Sequence, residues 1–149
     1  MFRTLIVDDE PIARRVLHDE LDEFGDVAII GEAENGTVAV DLIQRLTPDL
    51  VFLDLQMPEL GGIELIRRVS ARKLPAIIVV SACEDCSRKA LRVGAVGYLL
   101  KPVNPSSLRG MIDQLRQIPS IGSNATRPEV RPREVGFLVR SELCKCATP

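Results

Sequence analysis

Four short apolar runs each end on a residue that carries chemistry. Leu5-Ile6-Val7 leads into Asp8-Asp9, Leu50–Leu53 into Asp54, Ile77–Val80 into Ser81, and Tyr98-Leu99-Leu100 into Lys101. Runs without polar alternation, rich in β-branched residues and bounded by turn formers, predict strands buried on both faces. With Val27–Ala33 they give five strands: Arg3–Val7, Val27–Ala33, Leu50–Asp54, Ala76–Ser81 and Gly97–Leu100. The intervening stretches have helical spacing. Pro11 opens a helix to about Phe24, where a first-turn proline loses no hydrogen bond, with Ile12, Val16 and Leu21 as its inward candidates. A second helix runs from Gly36 to about Leu46 with a stripe of Val38, Ala39, Leu42, Ile43 and Leu46. Ile63–Ala71, Asp85–Val93 and Pro105–Ile118 complete the set, and Met57–Gly62 reads as a loop punctuated by Pro and Gly.

Strictly alternating strands and helices imply an α/β fold with a parallel sheet and right-handed crossovers. For five such units the common doubly wound strand order is 2-1-3-4-5, which places the first and third strands side by side at the switch point. Reactive groups in such a sheet collect beyond the carboxyl ends of the strands. Asp8, Asp9, Asp54, Ser81 and Lys101 are therefore expected to meet in one shallow site. The pattern dissolves near Pro119. Residues 1–118 form the expected domain, and residues 119–149 read as a linker or tail, flexible or the remnant of an output domain, too short for a second core.

Composition agrees with this division. The chain has 149 residues, 46% hydrophobic but only 3% aromatic, so the core is aliphatic. Net charge is -2, with 14 basic and 18 acidic residues in 1–119 against 5 and 3 in the tail. This balance gives no case for a nucleic-acid surface. No apolar stretch reaches the ~20 residues of a membrane span, and the opening MFRTLIVDDE does not read as a signal peptide, so none is expected. The chain is expected to be cytoplasmic, with its four cysteines as reduced thiols.

Three carboxylates packed together raise one another's pKa, and a hard divalent cation with room for phosphate, Mg²⁺ above all, relieves the repulsion. An aspartate beside such a centre is a plausible nucleophile toward phosphorus. The strings LIVDDEP (5–11), PDLVFLDLQMPELGG (48–62), IIVVSA (77–82) and GAVGYLLKPV (94–103) resemble the receiver domain of two-component response regulators, over roughly residues 1–118. Their wording is similar to the LytTR (LytR/AlgR-type) branch, here without its C-terminal DNA-binding domain. The resemblance implies the flavodoxin-like receiver fold and a phosphorylation-activated switch. Asp54 would be the phosphoacceptor. Asp8 and Asp9 would hold Mg²⁺ together with Asp54 and the backbone carbonyl of Gln56. Lys101 would pair with the phosphoryl oxygens, Ser81 would donate its hydroxyl, and Tyr98 would be the switch aromatic. The Lys101–Pro102 bond would be cis. The implied phosphodonor is a histidine kinase or a small acyl phosphate. The implied output is dimerisation or partner binding through the fourth helix, fifth strand and fifth helix, roughly Asp85–Ile118. No enzymatic turnover is expected beyond self-phosphorylation and autodephosphorylation. Direct nucleic-acid binding and a membrane partner are not expected.

Some residues depart from the pattern or compete with it. Gln56 and Cys83 stand two positions after Asp54 and Ser81, where the family tunes dephosphorylation, and Gly61-Gly62 replaces a frequent Asp-Gly. Cys83-Glu84-Asp85-Cys86 and Cys144-Lys145-Cys146 would together offer four thiolates to zinc, but C-x-C is poor spacing for that site, and the preferred reading is small loop-side residues and tail thiols, with little support for a redox role. His18 reads as an ordinary amphipathic-helix residue. Two rivals stand beside the switch. One is a receiver-like interaction module with vestigial phosphorylation, which the intact Asp8, Asp9, Asp54, Ser81 and Lys101 oppose. The other is an aspartyl-phosphate hydrolase of the haloacid dehalogenase type, which needs an acid where this chain has Gln56.

Overall fold

The apolar runs pair as a parallel sheet of five strands in the order β2-β1-β3-β4-β5. The computed structural model describes residues 1–70, 75–118 and 121. Its elements are β1 (Phe2–Val7), α1 (Pro11–Asp22), β2 (Val27–Ala33), α2 (Gly36–Leu46), β3 (Leu50–Leu53), α3 (Gly62–Ser70), β4 (Ala76–Ser81), α4 (Glu84–Val93), β5 (Gly97–Leu100) and α5 (Pro105–Arg116). This is the expected fold class and strand order, with ends that differ by a residue or two, as frayed termini do. The sequence-predicted end of the third helix at Ala71 and the tail after 121 lie outside the described residues.

Each strand sends alternate side chains to opposite faces, because successive Cβ atoms alternate across a sheet. Ile6, Phe52, Ile78, Val80 and Leu99 pack with Leu17 and Leu21 of α1 and with Leu108, Met111, Ile112 and Leu115 of α5. Leu5, Val7, Val51, Leu53, Ile77, Val79 and Tyr98 pack on the other face with residues of α2, α3 and α4. β3 and β4 are buried throughout, as continuous apolar runs require. Ile121 joins the α1/α5 face, and its N–H donates to the carbonyl of Ile118.

The expected inward face of α1 holds at Leu21 and is corrected at Ile12 and Val16. Ile12 and Val16 are 79% and 53% exposed, whereas Leu17 and Leu21 are buried. At 100° per residue, Leu17 lies about 140° around the helix from Ile12. Both pairs have i, i+4 spacing, so apolar periodicity alone offers two phases, and Leu17-Leu21 is the one Phe24 extends into the core. In α2 the stripe holds at Ala39 and Ile43, with Val38 at its exposed edge. Asn35 caps α2 by accepting from the Val38 N–H at 2.9 Å, and Asn104 caps α5 by accepting from Ser106 at 2.8 Å.

Candidate functional site

Asp8 and Asp54 follow directly on β1 and β3, which pair in register from Thr4↔Leu50 to Val7↔Leu53. The Asp54 N–H donates to the carbonyl of Val7 at 2.9 Å, and that of Asp8 to Ala33 on β2 at 3.1 Å. The ladders thus run one step past the strands and fix both aspartates at the carboxyl edge of the sheet. Lys101, just beyond β5, is fixed the same way, its N–H donating to the carbonyl of Ser81 at 3.0 Å. The next peptide bond, Lys101–Pro102, is cis, as expected from the resemblance.

Both carboxylates are held alike. One oxygen of each accepts from the backbone two residues on: Glu10 N–H to Asp8 Oδ1 at 2.9 Å, Gln56 N–H to Asp54 Oδ1 at 3.0 Å. The other oxygen of each meets Lys101 Nζ, at 2.8 Å for Asp8 and 3.3 Å for Asp54. Lys101 is therefore a bridge between two buried acids. Asp9 sits beside them, half-buried, and one carboxylate oxygen from each of Asp8, Asp9 and Asp54 lies within 4.8 Å of the others.

The electrostatics follow from this packing. Burial pushes the Asp54 carboxyl above its ordinary 3.8, and the charge of Asp8 adds to the shift; the Gln56 N–H and Lys101 pull the other way without cancelling it. Burial works against the charged Lys101, yet the hydrogen bond to Asp8 and the charges of Asp54 and Asp8 outweigh it and raise its pKa. The ammonium stays charged between acids it neutralises only in part. An all-oxygen cluster of this kind fits a hard divalent cation, with water and phosphate oxygens filling the remaining positions.

Ser81 is fully buried at the end of β4, and its Oγ accepts from the Cys83 N–H at 3.2 Å. Tyr98 is buried on the α4 side of edge strand β5. Gln56 is exposed, and its backbone lies against Asp54 through the N–H already described. The sequence-predicted residues thus gather at one edge, with Tyr98 behind it.

Three features were not foreseen. Arg14 of α1 donates from Nη1 to the carbonyl of Asp8 at 2.6 Å and from Nε to Glu32 at 3.3 Å, tying α1 to the loop that carries the acids. Gly62 is wedged against the backbone of Asp54 and Leu55: a Cβ there would stand 2.8 Å from Leu55 Cα and 2.9 Å from the Asp54 carbonyl oxygen. Its place in a Gly-Gly pair was the available signal. The expectation of reduced thiols is corrected at Cys83 and Cys86, which are joined as a disulfide. The cause is local: Cys83 caps α4 and Cys86 lies in its first turn, so the two sulfurs meet on one side of the helix start. Cys144 and Cys146, and with them the four-thiolate site, lie outside the described residues. Among the described residues, no helix is long and apolar enough to cross a membrane.

Comparison with known proteins agrees with this geometry. A family model described as the response regulator receiver domain matches residues 4–113. An uncharacterized response regulatory protein of Vibrio vulnificus is 42% identical over 120 residues, 80% of this chain and 50% of its own length. The transcriptional regulatory protein BtsR of Escherichia coli K12 is 38% identical over 117 residues, 78% of this chain and 49% of its own length. The chain thus spans about half the length of the curated relatives it matches. Among solved structures, the isolated REC domain of RcsB from Salmonella enterica serovar Typhimurium, in the presence of phosphomimetic BeF3⁻, aligns at 26% identity. Its TM-score is 0.71, over 78% of this chain and 89% of that one. A two-component response regulator of the LuxR family from Aurantimonas sp. SI85-9A1 aligns with TM-score 0.73 and 28% identity over 95% of this chain and 99% of that one.

Proposed function

This chain belongs to the response regulator receiver family, and from that premise we propose that it is a switch thrown by a phosphoryl group on Asp54. The observation that carries the reading is the Lys101 ammonium bridging Asp8 and Asp54 at the sheet edge. In the proposed reaction an oxygen of Asp54 attacks the phosphorus of a histidine kinase's phosphohistidine or of a small acyl phosphate. The new O–P bond gives an acyl phosphate as the bond to the donor breaks, and the donor leaves with the electron pair of that bond. Such transfer needs positioning and charge neutralisation more than covalent assistance. Mg²⁺ bound by Asp8, Asp9, Asp54 and the Gln56 carbonyl would neutralise charge on the phosphoryl oxygens. Lys101, already on Asp54, is within reach to follow those oxygens as they arrive. Ser81 uses a lone pair on the Cys83 N–H and keeps its hydroxyl proton to donate to a phosphoryl oxygen.

The consequence is a change of surface, not a product, and no turnover of added substrate accompanies it. Ser81 opens the loop into α4, and Tyr98 packs beneath α4 from β5, so a phosphoryl group that draws Ser81 inward alters the α4-β5-α5 face. That face would govern dimerisation or an output partner. The similarity to the transcriptional regulatory protein BtsR supports transcription regulation as the output; the proposed setting is the cytoplasm, with DNA bound by a LytTR-type output domain and not by the residues of this chain.

The test is intact mass after incubation with Mg²⁺ and acetyl phosphate, for the native chain and Asp54→Ala, with oligomer size read on the same samples. One added phosphoryl group that vanishes in the variant, with a shift from monomer to dimer, is the expected result. No adduct from acetyl phosphate or from a kinase would move the assignment to a phosphorylation-independent interaction module.

A further inference from the structure

Cys83 and Cys86 take no part in the reaction just described, yet they occupy the hinge through which it would be felt. The Cys83 backbone N–H donates to Ser81 Oγ at 3.2 Å. Its carbonyl accepts from the Ser87 N–H at 3.1 Å and from Ser87 Oγ at 2.9 Å, and its sulfur accepts from the Cys86 N–H at 3.2 Å. One residue therefore touches the switch hydroxyl, caps α4 and is covalently tied to the first turn of that helix. The two Cα atoms are 5.3 Å apart, within the span a disulfide bridges without backbone movement.

Stability is a weak account of the link, because a cross-link across two intervening residues removes less chain entropy from the unfolded state than one that closes a long loop. The surroundings favour exchange instead. Both cysteines are half-exposed rather than sealed in the core. A helix N-terminus and a C-x-x-C spacing are the settings in which thiolates form and disulfides turn over. In a reducing compartment, disulfides tend to be transient and redox-sensing.

We propose that Cys83 and Cys86 form a reversible dithiol–disulfide site that sets the freedom of the Ser81 loop. Oxidation needs a low-molecular-weight disulfide such as oxidised glutathione. One protein thiolate attacks it, forming a mixed disulfide and releasing one small thiolate. The second protein thiolate attacks the mixed disulfide at the protein sulfur, forming the Sγ–Sγ bond and releasing the other. The two protons lost by the cysteines go to the released thiolates, and the two electrons lost by the protein reduce the small disulfide. Closed, the site clamps the turn that presents Ser81; open, the turn is free to follow a phosphoryl group. This consequence rests on the reading of Asp54, whereas the redox site itself does not.

The experiment uses the full chain with Cys144→Ser and Cys146→Ser, equilibrated over a range of reduced-to-oxidised glutathione ratios. Thiols are counted by alkylation and mass, and acetyl phosphate labelling at Asp54 is timed in the same samples. Expected are a single two-thiol transition mapped to Cys83 and Cys86, and labelling about fivefold slower when oxidised, at the low end of ordinary coupling between sites. Adding Cys86→Ser should fix labelling at the reduced rate whatever the ratio. Two thiols free at every ratio overturn the site, and equal labelling rates in the two states overturn the coupling. Absence of label in both states, with the two-thiol transition present, removes the reading of Asp54 and upholds the redox site.

Discussion

At Asp54 two opposed demands meet on one residue. As the proposed phosphoacceptor it must be ionised to attack phosphorus, yet burial and the neighbouring Asp8 favour its protonated form. A carboxyl whose folded pKa lies above its unfolded value binds its proton more tightly in the folded chain. Its contribution to stability is then fully present below the unfolded value and is lost as pH rises through the folded one. At neutral pH Asp54 is therefore a net cost to the fold. In metal-free buffer Asp54→Asn, which keeps an oxygen for the Gln56 N–H, should melt about 2 °C or more above the native chain at neutral pH. The gap should close as pH falls through the raised Asp54 value toward 3.8. Thermal melts across that window measure it, and a gap that persists unchanged would refute the assignment. Lys101 has the converse role. Lys101→Met leaves two buried carboxylates without their shared cation, at a cost of about 2 kcal/mol, between exposed and fully buried pairs. Urea unfolding without divalent ions reads that loss directly. That Asp8, Asp54, Ser81 and Lys101 come to one edge of the sheet was legible in the sequence because each follows or closes an apolar run. Their tethering was not: Arg14 and the paired Cys83 and Cys86 act through backbone carbonyls and helix geometry that residue spacing does not display.

The elements show where periodicity suffices and where it fails. The central strands β3 and β4 were legible because burial on both faces leaves little choice of side chain, and they accept almost nothing polar. α1 was ambiguous because it carries two apolar pairs on different faces, and only packing against the sheet and α5 chooses between them. Urea unfolding should separate them: Leu21→Ala is expected to cost about 2–5 kcal/mol as a fully buried leucine, whereas Ile12→Gln should stay within about 0.5 kcal/mol. Similar losses for both would return Ile12 to the inward face expected from the sequence. The β3–α3 loop teaches a related lesson. Gly62 could be read as punctuation, but its lack of a Cβ is what lets the chain close over the Asp54 carbonyl. Gly62→Ala should therefore destabilise the fold by about 1–3 kcal/mol and slow labelling at Asp54, whereas Gly61→Ala, which meets nothing within 4 Å, should do neither through contact.

Across the whole molecule, the charged site and the packed core are one construction. Asp8, Asp54, Ser81 and Lys101 come from the ends of four different strands, so the site exists only when β1, β3, β4 and β5 are in register. A ligand that binds this arrangement binds the native chain and not the unfolded one, and must raise global stability by mass action. For a divalent ion with a dissociation constant near 1 mM, 10 mM should add about 1.4 kcal/mol. Thermal melts over a Mg²⁺ series should rise along that saturating curve in the native chain. Asp9→Asn should shift the curve to higher concentration while changing the metal-free melt little, because Asp9 is only half-buried and Asp8 and Asp54 retain Lys101. A Mg²⁺ response that survives intact in the Asp8→Asn, Asp9→Asn double variant would place the ion elsewhere. A response lost with those acids would tie it to the same edge at which four strands, and through Ser81 the start of α4, converge.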